Sequence, residues 1–142
     1  MHVSAKTEYA CLAVMELAAS YGSGEPVRVR SIAQLHGIPS RFLVQILLQL
    51  KGAGLVASTR GAAGGFQLIK DPAHITLAEV MGVIEGGSDA ITQSAGSQTA
   101  HSRVLMSVWN DVSRVERDML VSITFADLNE RAQSESEYMY YI

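Results

Sequence analysis

Apolar and polar positions change period along the chain, and those changes mark its elements. From residue 4 to about residue 21, Ala5, Tyr9, Leu12, Ala13 and Leu17 recur mostly at steps of three and four. That spacing predicts an amphipathic helix, stopped by Gly22, Gly24 and Pro26. A short helix is expected over 31–36, with a Ser-x-x-Gln start and Gly37 at its end. A second follows from about 39 to 53. Pro39 is tolerated at its start because the first helical positions have no intrahelical partner for an N–H. Phe42, Leu43, Ile46, Leu47 and Leu50 make its apolar stripe, and Ser40, Arg41, Val44, Gln45, Leu48 and Gln49 its other face. Two helices joined by a tight glycine turn form the helix-turn-helix pattern. Residues 55–59 read as a strand, 60–65 as a glycine-rich turn led by Arg60, and 66–69 as the return strand. The turn lacks the Lys-Ser/Thr ending of a phosphate loop and no helix follows it, so it reads as a wing.

Beyond the wing, Thr76-x-x-Glu79 is a capping-box signature opening a helix to about Glu85. Residues 86–102 are small and polar and read as a flexible loop. Leu105, Val108, Val112, Val115 and Met119 then step by three and four, an a/d seam widened by Trp109 and Leu120. A long helix with little of its own domain left to pack on points to pairing with a second copy. Thr124-x-x-Asp127 repeats the capping box before a short final helix and an acidic, aromatic tail, SESEYMYYI. The expected organisation is a winged helix-turn-helix over 1–85, a loop over 86–102, and a dimerisation helix with a short helix and tail over 103–142. The fold class is mainly α: helices plus a two-stranded β wing, followed by the long helix.

Composition agrees with a folded domain. The chain has 142 residues, 48% apolar and 18% charged. No apolar run approaches the ~18 residues of a membrane span, and no apolar core of a signal peptide follows the start. A cytoplasmic protein without a membrane partner is expected. One cysteine, Cys11, excludes an internal disulfide or a multi-cysteine zinc site. It reads as a small buried hydrophobe rather than a redox thiol. No nucleophile, base and orienter set and no paired carboxylates appear, so no enzyme is expected.

Charge alters the picture. Residues 26–70 hold six cations (Arg28, Arg30, Arg41, Lys51, Arg60, Lys70) and no acid, whereas the rest has five cations against fourteen acids. A basic block in an acidic chain marks a face that meets a polyanion.

The stretches SAKTEYACLAVMELA, SIAQLHGIPSRFLVQILLQLKGAGLVASTRGAAGGFQL, ITLAEVMGVIEG and ITFADL, in this order, resemble the Rrf2 family of bacterial winged-helix transcription regulators. This is the group containing the IscR, NsrR and CymR types. The resemblance spans about residues 3–128. It implies a homodimer held by the long helices through Leu105, Val108, Trp109, Val112, Val115 and Met119. It implies an inverted-repeat DNA operator read by Ser40, Arg41 and Gln45, with Arg60 in the minor groove. Arg28, Val44, Lys51, Gly61 and Lys70 complete the expected DNA-binding set. Val44 stands where relatives often carry an operator-reading acid; it can meet a thymine methyl but cannot accept from cytosine. Cluster-binding relatives have three cysteines before the long helix, since thiolates hold iron–sulfur clusters. Here that segment has none. Glu8 and His36 stand where some relatives place other ligands, and His101 lies nearby, but they read as surface and helix-end residues. The expectation is a cluster-free repressor with no cofactor and no metal, and with an effector, protein or small molecule, that no residue names. A winged-helix module acting through other proteins is the alternative, suggested by the acidic remainder and aromatic tail.

Overall fold

In the computed structural model the described residues are 1–86 and 99–140. They form α1 (Ala5–Ala19), α2 (Val29–His36), α3 (Ser40–Gly52), β1 (Val56–Thr59), β2 (Gly65–Leu68), α4 (Leu77–Glu85), α5 (Ala100–Ser122) and α6 (Phe125–Tyr140). The fold is the expected helical one with a two-stranded antiparallel wing, its ladder running from Val56 opposite Leu68 to Thr59 opposite Gly65.

Helix α1 is the centre of the core, packed against α2, α3, α4, α6 and β2. Its buried residues are Thr7, Ala10, Ala13, Val14, Leu17 and Ala18. The expected stripe is therefore rotated: Ala5 is exposed, while Tyr9 and Leu12 are half-buried. Small alanines let neighbouring elements approach α1 on several sides, and the periodicity of large apolar residues does not register them. Thr7 is tolerated inside because its hydroxyl donates to Glu85 Oε1 at 2.9 Å and accepts from Ser4 Oγ at 3.0 Å. Ser4 Oγ also caps α1 by accepting from the Thr7 N–H.

Helix α2 begins earlier than the Ser-x-x-Gln signal suggests. Arg28 is its N-cap and Ser31 lies inside the first turn. The cause is tertiary: Val27 and Phe66 exchange two backbone hydrogen bonds of 2.8 Å, which hold the chain extended up to the point where the helix starts. Between α2 and α3, Gly37 adopts φ 65°, a left-handed conformation that glycine takes without a Cβ penalty.

The capping signals vary in how fully they are realised. Thr76 Oγ1 accepts from the Glu79 N–H at 3.1 Å, but the Glu79 carboxylate turns to Lys70 instead of closing the box. Thr124 and Asp127 close theirs in both directions, at 3.0 and 3.1 Å, and these bonds hold the Asp127 carboxyl below the usual range. Most of the expected loop, 87–98, lies outside the described residues. Its last part is not loop: Thr99 and Ser102 form a reciprocal capping box and α5 starts at Ala100. Helix α6 also corrects an expectation. It runs unbroken for 16 residues, rather than as a short helix and tail, because no glycine or proline interrupts it.

The start of α6 is held in the core. Phe125 is fully buried, its N–H donates to Ile75 O at 2.9 Å, and the Leu77 N–H donates to Ile123 O at 2.9 Å. Asn129 Nδ2 adds a 3.1 Å bond to Met15 O on α1. Helix α5 is thereby pinned at its C-terminal end and rests against α4, yet none of its residues is buried.

Candidate nucleic-acid interface

Helix α3 is amphipathic in the expected sense. Leu43, Ile46, Leu47 and Leu50 are buried, and half-buried Phe42 meets Tyr9 edge-on with ring centroids 5.9 Å apart. The opposite face presents Ser40, Arg41, Val44, Gln45, Leu48 and Gln49 to solvent. Leu48, one turn beyond Val44, was not among the expected contacts, although the same helical spacing points to it.

The wing stands on the same stretch of chain. Arg60 and Gly61 are exposed at its turn, which is closed by a 3.0 Å bond from the Gly64 N–H to Gly61 O. A Cβ at Gly65 would overlap the Val27 carbonyl, so only glycine lets β2 approach the residue before α2 this closely.

The six cations of the basic block divide into two groups. Arg30, Arg41 and Arg60 are exposed and have no hydrogen bond or ion pair to a described residue. The other three are tethered. Lys51 Nζ donates to Ser58 Oγ at 2.7 Å, Lys70 Nζ pairs with both Glu79 oxygens at 3.1 Å, and Arg28 Nη2 donates to the Ala62 carbonyl in the wing turn. Arg30 lay outside the expected DNA-binding set although it belongs to the acid-free run.

The seam side chains Leu105, Val108, Trp109, Val112, Val115 and Met119 are 47–70% exposed. They leave an apolar face along α5 that no described residue covers.

Metal-donor groups are dispersed. Cys11 is half-buried in α1, and its thiol is pushed up to about 11, first by burial and then by the Glu85 carboxylate. His36 Nε2 lies 2.8 Å from Glu16 Oε1, and Glu8 and His101 are exposed. Among the described residues no three His, Cys, Asp or Glu side chains converge on one point.

The Rrf2 model, described as an iron-dependent transcriptional regulator, matches residues 3–131. The chain belongs to the Rrf2 family. It is 33% identical to the regulator CymR of Bacillus subtilis over the full length of both chains. It is 32% identical to IscR of Cronobacter sakazakii over 90% of this chain and 80% of that one. Among solved structures, T. potens IscR superposes with a TM-score of 0.77 at 34% identity, covering 99% of this chain and 97% of the other. CymR, the global cysteine regulator of B. subtilis, superposes at 0.76 and 30% identity, covering 92% and 98%. This Rrf2 protein is a DNA-binding transcriptional regulator and not an enzyme. No helix among its described residues is long and apolar enough to cross a membrane.

The family description carries iron, and the donors of this member do not fit an iron–sulfur cluster. Such clusters are held chiefly by thiolates. The sole thiol lies mid-helix in surroundings that favour its protonated form, and residues 86–98 contain neither cysteine nor histidine.

Proposed function

We propose that this protein is a cluster-free cytoplasmic repressor that binds an inverted-repeat operator as a homodimer. The observation that carries the reading is the pair of unpartnered arginines, Arg41 on the outward face of α3 and Arg60 on the wing, both within the acid-free run. Helix α3 enters the major groove of a half-site, where Arg41 and Gln45 reach base edges, Val44 meets a thymine methyl and Ser40 a phosphate. Arg60 and Gly61 bring the wing to the minor groove, whose narrow A·T-rich form attracts arginine. Lys51 is tethered to a neutral hydroxyl and keeps its charge for phosphate, whereas Glu79 already neutralises Lys70. Two copies joined along α5 present two α3 helices to two half-sites, and the bound dimer represses by occluding the promoter.

The test is selection of a preferred duplex from a randomised pool, followed by titration against it and a scrambled duplex. Gln45→Ala should weaken binding to the selected duplex by about 1–3 kcal/mol and barely affect the scrambled one. Equal loss on both means that α3 is not the reading element. A wild type with no preferred duplex and little salt dependence would leave the interaction-module reading in its place.

A further inference from the structure

Arg28 is exposed at the N-cap of α2, where a helix start is ordinarily held by Ser, Thr, Asp or Asn, and its side chain makes no cap bond. Its guanidinium reaches across the chain instead and donates to the Ala62 carbonyl inside the wing turn. One residue earlier, Val27 exchanges two 2.8 Å backbone bonds with Phe66 on β2. Gly65 packs so closely on the Val27 carbonyl that no Cβ fits there. Where β2 leaves the turn it is thus fastened by backbone, and the turn itself by one side chain, both to the residues that start α2. Arg60 sits two residues from the carbonyl that Arg28 holds.

We propose that Arg28 is a positioning residue that couples the wing to the helix-turn-helix and sets the reach of Arg60, rather than a direct DNA contact. The backbone pair reaches only as far as Phe66, at the start of β2, and not into the turn itself. A turn rich in glycine and alanine has no side chains of its own to fix its angle, and a five-donor guanidinium bound to its carbonyl does so without surrendering its charge. The proposal rests on the DNA-reading role given above, and its experiment separates the two.

The first arm needs no DNA. In free Arg28→Met, amide exchange over 60–66 should accelerate severalfold while the amides of α1 and α4 keep their wild-type rates. Unchanged exchange in the wing overturns the proposal. The second arm is a double-mutant cycle with Arg60→Ala on the selected duplex bearing A·T-rich or G·C-rich flanks. If Arg28 acts through Arg60, each single change lowers affinity about tenfold on A·T flanks and much less on G·C flanks. The double variant is then no weaker than Arg60→Ala alone. Losses that multiply, and that are equal on both flanks, identify Arg28 as an independent phosphate contact and overturn the proposal. A wild type without a preferred duplex overturns the underlying DNA reading, while the exchange arm still decides whether Arg28 holds the wing.

Discussion

Replacing Val112 by glutamate tests the proposed dimer at the middle of its seam. Val112 is 58% exposed in the single chain, between Val108 and Val115 on a helix with no buried residue. Burying a valine completely is worth about 1.5–3 kcal/mol, so covering what Val112 still exposes contributes about 1 kcal/mol in each copy. The variant loses that contribution twice. It also brings two carboxylates into a seam whose neighbouring side chains are valines, leucine, tryptophan and methionine, with no cation among them. An uncompensated charge in a buried interface costs about 3–5 kcal/mol. The combined effect is at least about 5 kcal/mol, a rise in dimer Kd of more than roughly a thousandfold. Sedimentation equilibrium over a dilution series reads that Kd directly, and circular dichroism confirms that the chain stays folded. The winged helix should remain folded, since its core includes no α5 residue. Ala63→Glu, on the exposed wing turn, should leave the Kd unchanged. A Val112→Glu dimer of wild-type Kd, or a wild type that stays monomeric, refutes the assignment of this face to self-association.

Three further outcomes are expected. Anaerobic reconstitution with iron and sulfide should leave the protein colourless and free of stoichiometric iron; a stable visible chromophore would show that ligands have been overlooked. The Cys11 thiol is held near 11 against an ordinary value near 9, so the fold favours its protonated form. That contribution is fully present below about pH 9 and is lost as pH rises through about 11, by about 3 kcal/mol in all. Denaturant unfolding should therefore show wild type losing this much relative to Cys11→Ala over that range, and a gap independent of pH would contradict it. Finally, the three free arginines and Lys51 in each copy predict a slope of log K against log salt of about −7 for the dimer, whereas all six cations would give about −11.

The elements were legible because each is written in local terms. The stripe of α3, the turn at Gly37, the glycine-rich hairpin and the seam of α5 need only short-range spacing and turn chemistry. What was not legible depends on partners distant in sequence. The start of α2 is set by Phe66 across the wing, not by Ser31. The buried face of α1 is set by packing on several sides at once. Glu79 leaves its capping box half made because Lys70 competes for its carboxylate. Helix α6 looked like a short helix and a tail because its exposed acidic half lacks an apolar stripe, but nothing in it breaks a helix.

The same distinction governs the candidate interface. A count of charges along 26–70 predicts a polyanion-facing side, since the absence of acids is a property of the sequence. It does not say how each cation is employed. Lys70 is neutralised by a carboxylate nine residues on, and Arg28 is engaged with a carbonyl 34 residues on. A cation paired with a carboxylate releases few counterions on meeting a phosphate, because its field is already compensated. One bound to a carbonyl or hydroxyl keeps its charge but has a preferred place to stand. On the reading proposed above, the basic face works through three exposed arginines, Arg30, Arg41 and Arg60, and Lys51, around a wing whose angle Arg28 sets. Specificity would then depend on where that wing holds Arg60 as much as on the side chains of α3.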